Sequence, residues 1–149
     1  MSLEITNKDW IEFSSTDNGM CILDYNLNKL VKPKNEDVDI GFIVMIVKSA
    51  IEVSNQNTGS PKYIARINLR DTSIFNLQIG TIIKVIRTLQ KEIPDTICDI
   101  IINDVEDKYI FIWNGIKSFI DKETLHKIKI YTCSGKLISV ENLEKNLSK

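Results

Sequence analysis

The sequence predicts an α/β domain with a mixed, mostly parallel β-sheet and helices packed on it. Short runs of alternating or continuous apolar character take turns along the chain with longer runs of helical periodicity. The helical runs are long enough to carry the chain back so that the next strand pairs in parallel. A single hairpin signal, near the N-terminus, adds an antiparallel edge. The 149 residues suit one domain, 1–149.

The elements follow in order. Trp10, Ile11 and Phe13 precede a polar turn at Thr16-Asp17-Asn18-Gly19, and Met20-Cys21-Ile22-Leu23 reads as the returning strand. Residues 39–54 read as a helix with apolar side chains around most of its circumference: Phe42, Ile43, Met45, Ile46, Ala50 and Val53. A helix of that kind is expected to be largely buried. Residues 54–61 are turn formers and are expected to be a loop. Tyr63-Ile64-Ala65-Arg66-Ile67-Asn68-Leu69 alternates as a strand does. Ile79, Ile82, Ile83, Ile86 and Leu89 then recur at helical spacing, with Lys84, Arg87 and Lys91 opposite, and Pro94 ends that helix. Residues 97–102 have the length and apolarity of a buried strand. A helix over 108–120, a strand over 127–131 and a helical turn over 140–145 complete the order. Ile67, Leu69, Ile82, Ile86, Ile100 and Ile102 are expected to share one core.

Composition narrows the function. Apolar residues at 43% and charged residues at 26% belong to a globular chain and not a disordered one. A net charge of −1 provides no positive surplus, so no nucleic-acid partner is expected. Cys21, Cys98 and Cys133 are scattered, and with the single His126 they form no metal-ligand spacing. They read as thiols in a reducing compartment, and a cytoplasmic location is expected. No apolar run approaches the roughly 18 residues of a membrane span. No nucleotide-binding glycine loop, nucleophile elbow or metalloprotease motif is present, so neither enzymatic activity nor a cofactor is expected. Asp99, Asp104, Glu106 and Asp107 read as a solvated strand-to-helix loop, and His126 as a surface side chain.

The unusual segment is Lys108-Tyr109-Ile110-Phe111-Ile112-Trp113-Asn114-Gly115-Ile116-Lys117-Ser118-Phe119-Ile120. As a helix it is apolar almost all round. It reads either as a helix buried on both sides or as a lid over an apolar cavity, with Lys117 either snorkelling or meeting an anionic ligand.

The ordered set Ile93-Pro94-Asp95, Ile100-Ile101-Ile102-Asn103, Trp113-Asn114-Gly115-Ile116-Lys117-Ser118-Phe119-Ile120 and Thr124-Leu125-His126-Lys127-Ile128 resembles the core of CRAL-TRIO lipid-binding domains. The resemblance is strongest over 60–147. Ile93-Pro94-Asp95 stands in place of that family's Tyr-Pro-Glu, and Val105 in place of a Pro. Within these 149 residues the helical subdomain that precedes many such domains is not expected. No carboxylate stands near Lys84-Val85 to pair with Lys117 as in phosphatidylinositol-transfer members. The resemblance implies a sheet floor and a gate helix that enclose a hydrophobic ligand, with Phe111, Trp113, Ile116, Lys117, Phe119 and Ile120 as ligand-binding residues. It implies a phospholipid or other hydrophobic ligand and transient contact with a membrane surface. Two alternatives stand beside it. One is a protein-interaction module of the BCH branch of the fold, with a small GTPase or GTPase regulator as partner. The other is a STAS-like regulatory domain.

Overall fold

The computed structural model describes residues 4–73 and 77–138, with all their side chains except those of Ile110 and Phe111. The strands are β1 (Ile11–Ser15), β2 (Cys21–Asn26), β3 (Tyr63–Asn68), β4 (Ile97–Val105), β5 (Ile128–Thr132) and β6 (Leu137–Ile138). The α-helices are α1 (Glu36–Thr58), α2 (Ile79–Glu92), α3 (Ile110–Lys117) and α4 (Lys122–Leu125). One sheet takes the strands in sequence order, β1-β2-β3-β4-β5-β6. The outer pairs are antiparallel and the pairs from β2 to β5 are parallel. Each parallel strand is added at the same edge. Right-handed crossovers therefore lay α1, α2 and α3 on one face of the sheet.

The hairpin closes through Gly19, whose φ of 92° lies in the left-handed region. A Cβ at Gly19 would stand 2.6 Å from the Cβ of Asn57, so the turn also needs glycine to lie against α1. Helix α1 starts three residues before the expected point. Asn35 Oδ1 accepts from the Val38 amide at 3.3 Å, and Glu36, Asp37 and Asp39 place negative charge on the first turn. Asp39 also accepts hydrogen bonds from the amides of Thr6 and Asn7, at 2.8 and 3.3 Å, and from Asn7 Nδ2 at 2.7 Å, tying the N-terminal segment to the helix.

Three expectations need correction. Residues 55–58 are not loop but the last turn of α1, which ends only at Gly59 with φ 76°. The turn-forming residues act there as end caps: Thr58 Oγ1 donates to the Ser54 carbonyl at 2.7 Å, and Asn57 Nδ2 to the Gly19 carbonyl at 3.1 Å. Helix α1 is also not buried all round. Ile43, Val47 and Ala50 face the sheet, while Met45 and Val53 are 57% and 44% exposed, because α1 covers one sheet face and meets solvent on its other side. Third, the helix expected over 108–120 is divided. A 3-10 turn over Asp107–Tyr109 leads into α3, and a turn over 118–120 separates it from α4, capped by Asp121 accepting from the Thr124 amide at 2.7 Å. The helical turn expected over 140–145 lies outside the described residues.

The opposite sheet face carries a polar network set among Ile22, Ile64 and Ile101. Arg66 donates to both carboxylate oxygens of Asp24, at 2.8 and 2.7 Å. Asn103 donates to Asn68, and Asn68 to Asn26 and Asp24, at 3.0 to 3.1 Å. Burial alone would raise the Asp24 carboxyl, but the hydrogen bonds from Arg66 and Asn68 and the Arg66 charge hold it below its ordinary value.

Candidate cavity under helix α3

Strand β4 lies in the middle of a six-stranded sheet, yet only Ile100 along it is fully buried. A central parallel strand flanked by close-packed layers would be buried nearly throughout. One reason is the polar face just described, where Asp99 and Asn103 lie. The other is a gap on the helical face: a cavity of about 240 Å³ between the sheet, α2 and α3.

Its floor is Ala65 and Ile67 of β3, Ile100 and Ile102 of β4, and Ile128 and Ile130 of β5. Helix α2 supplies Ile82, Ile86 and Leu89 as a wall, and α3 covers the cavity with Ile112, Trp113 and Ile116. Two irregularities shape β4. The register shifts at Tyr63/Ile64, which puts Ile97 on the cavity face and Asp99 on the polar face. It shifts again between Ile102 and Val105, where Asp104 adopts φ 60° and Val105 turns back toward the cavity. Of the six residues expected to share a core, Leu69 and Ile100 are buried. Ile67, Ile82 and Ile102 are half-buried and pack against that core while also bordering the cavity, and Ile86 is half-buried beside it.

Two attachments hold α3 over the floor. At its start the Tyr109 hydroxyl donates to the Thr72 carbonyl. Beyond its end, Gln90 of α2 donates through Nε2 to the Phe119 carbonyl at 3.0 Å and accepts at Oε1 from the Asp121 amide at 3.0 Å. Gln90 thus joins the wall to the far side of the cover. Beside it Thr124 and Lys127 form a polar rim, with Lys127 Nζ donating to the Ile97 carbonyl at 2.8 Å.

The residues expected to bind a ligand divide by position. Trp113, Ile116 and Ile120 line the cavity. Phe119 lies on the outer side, 39% exposed, with the Arg87 guanidinium 5.9 Å from its ring centre. Lys117 is half-buried in the last turn of α3 and is not among the lining residues. The Phe111 side chain lies outside the described part of the structure. Trp10 and Tyr25, read from the sequence only as hairpin residues or not at all, also line the cavity, their rings edge to face at 5.4 Å. Beside them is Tyr63. Burial pushes the Tyr63 phenol up to about 12 against an opposing effect of Tyr25, and it pushes Tyr25 up as well, with Tyr63 adding to the shift.

Among the described residues no group of His, Cys, Asp and Glu is placed to hold a metal ion, and no helix is long and apolar enough to cross a membrane. Asp99 pairs with Lys129 at 3.5 Å, Glu106 with Lys108 at 3.0 Å, and His126 is exposed. The model of the CRAL/TRIO domain matches residues 12–148 of the chain. No curated protein matches it. That family is in general one of non-enzymatic modules that bind small hydrophobic ligands.

Proposed function

Because this chain belongs to the CRAL/TRIO domain family, we propose that it carries one hydrophobic ligand in the cavity under α3 and performs no chemistry on it. The observation that supports this most is the cavity itself, apolar on floor, wall and cover. Moving apolar ligand surface from water into such a space is favourable by roughly 25 cal/mol per Å². Helix α3 acts as the gate. Trp113, Ile116 and Ile120 contact the ligand, with Phe111 on the same short helix. Lys117 and Phe119 meet a membrane surface during loading, Lys117 through anionic headgroups. Opening requires release of the Gln90 hydrogen bonds and of the Tyr109 contact, a local change of the kind that commonly gates buried sites.

Native mass spectrometry before and after organic extraction tests this. The expected result is a bound mass that extraction removes and that returns when extracted lipid is added back. A protein that is always at its bare mass and takes up nothing from the extract would reject the carrier reading. It would favour a protein-interaction module of the same fold, with a small GTPase or its regulator as partner. The polar sheet face around Asp24, Arg66 and Asn68 would then be the surface to examine.

A further inference from the structure

Helix α1 carries the composition of a helix buried on two sides, and the sheet buries only one of them. Ile40, Ile43, Val47 and Ala50 are the buried side. On the other side Phe42 is half-buried, and Met45 and Val53 are 57% and 44% exposed. With Ser49 between them these residues stand at i, i+3, i+7 and i+11, which is one stripe along the helix. Ser49 is small, and its hydroxyl donates to the Met45 carbonyl at 3.1 Å. The middle of the stripe can therefore be covered without stranding a donor. Exposed apolar stripes with polar borders mark surfaces that meet a partner.

The charges beside the stripe select the partner. Lys48 and Glu52 lie one turn apart on the same flank, both exposed, and among the described residues neither is in an ion pair. Lys48 is the only cation in α1, against Glu36, Asp37, Asp39 and Glu52. A helix that lies on a membrane has a basic polar face, and α1 has an acidic one that anionic headgroups repel.

A second copy of α1 fits both the stripe and the charges. Laid antiparallel about a two-fold axis at Ser49, Met45 stands opposite Val53 of the partner subunit and Phe42 opposite Gln56 of the partner subunit. The two small Ser49 side chains meet at the crossing and let the helices approach. The same register sets Lys48 only about 3 Å along the helix axis from Glu52 of the partner subunit, on the same flank. The two-fold axis makes each of these contacts twice. A parallel pair would instead set Lys48 beside its own copy and Glu52 beside its own copy, like charge on like.

We infer that the outer side of α1 is a homodimer interface, antiparallel about Ser49, in which Met45 packs on Val53 of the partner subunit and Lys48 pairs with Glu52 of the partner subunit. The inference rests on α1 and not on the cavity or its ligand. From Phe42 to Gln56 the contact is about 21 Å long, with one helix from each copy. That is the low end of specific interfaces, so the dimer is expected to form at about 10–100 µM.

Sedimentation velocity from about 5 to about 500 µM tests this. The chain is expected to pass from monomer to dimer, and to do so at higher concentration when salt is raised. Lys48→Glu and Glu52→Lys should each weaken the dimer at least about tenfold, and the double variant K48E/E52K should return to within about twofold of the original, because the swap restores both pairs. All three should unfold in urea as the unaltered chain does, since both positions are exposed. In a Cys133→Ser background, Ser49→Cys should give an interchain disulfide on mild oxidation, as only a two-fold axis at that residue allows. A chain that stays monomeric at every concentration would overturn the interface. Single reversals without effect, or a double swap that does not rescue them, would overturn the charge pairing and its register. Binding to phosphatidylcholine–phosphatidylserine vesicles that is lost in Met45→Glu would assign the stripe to a membrane instead.

Discussion

The half of the sheet under α1 and the half under α2 and α3 are built from the same kinds of residue, but they pack differently. Under α1, small residues let helix and strand approach closely. Ala50 and Ser54 face the sheet, and the Ser54 hydroxyl accepts from the Cys21 amide at 2.7 Å. Leu23 and Ala50 are there 0% exposed. Under α2 and α3 the facing residues are nearly all large. Ile82, Ile86 and Leu89 stand opposite Ile67, Ile100 and Ile102, and Trp113 props the cover. Large side chains on both sides hold the layers apart, and what they fail to fill is the cavity. One half holds the fold together, while the other trades packing for an interior that can be occupied.

Substitutions that remove volume should separate the halves most. Leu23→Ala should cost about 3–5 kcal/mol, since it opens a cavity in close-packed surroundings. Ile86→Ala should cost about 1 kcal/mol, because that side chain already faces a gap and has fewer contacts to lose. Urea unfolding measures both, and equal costs would erase the distinction. Adding volume should reverse the sign. Ala50→Leu should destabilise by about 1–3 kcal/mol through overpacking. Ala65→Leu, at the cavity floor, should be neutral or stabilise by up to about 1 kcal/mol, as cavity-filling changes do, while ligand uptake disappears. Uptake that persists in Ala65→Leu would mean the ligand sits elsewhere.

Smaller effects refine the boundary. Gln90→Ala removes the two hydrogen bonds that join α2 to the chain after α3. Stability should fall by only about 1 kcal/mol, while hydrogen exchange in α3 and ligand exchange both speed up. The smallest effect is on the polar sheet face. The Asp24 carboxyl is held below its ordinary value, so its contribution is fully present above the unfolded pKa of about 3.9 and is lost as pH falls through the lower folded value. Asp24→Asn should therefore flatten the acid limb of the stability–pH curve and leave ligand affinity unchanged.

The alternation of 63–69 and the helical period of 79–89 made β3 and α2 legible, and with them the parallel sheet. The matching motifs from Ile93 to Ile128 made the family legible. Periodicity says which side chains face inward but not whether they meet. Ile67, Ile82 and Ile102 thus read as core, and they do pack against it, but nothing in the period shows that they and Ile86 also border a void. Asn55, Asn57 and Thr58 read as loop because turn formers and helix end caps are the same residue types. Met45 and Val53 read as buried because an apolar residue does not reveal that its side of the helix meets solvent. Lys122–Leu125 is too short to show a period and depends on a single cap at Asp121. Trp10 and Tyr25 reach the cavity through the antiparallel pairing of β1 with β2, and no local pattern signals that.

The central claim, that the space under α3 is a ligand site and not loose packing, is tested most directly by methyl NMR during titration with methyl heptyl ketone. The methyl groups of Ile82, Ile100, Ile102 and Ile116 should shift together and saturate, while those of Leu23 and Ile43 under α1 stay in place. Shifts spread equally over both sets, or none at saturating ketone, would contradict it.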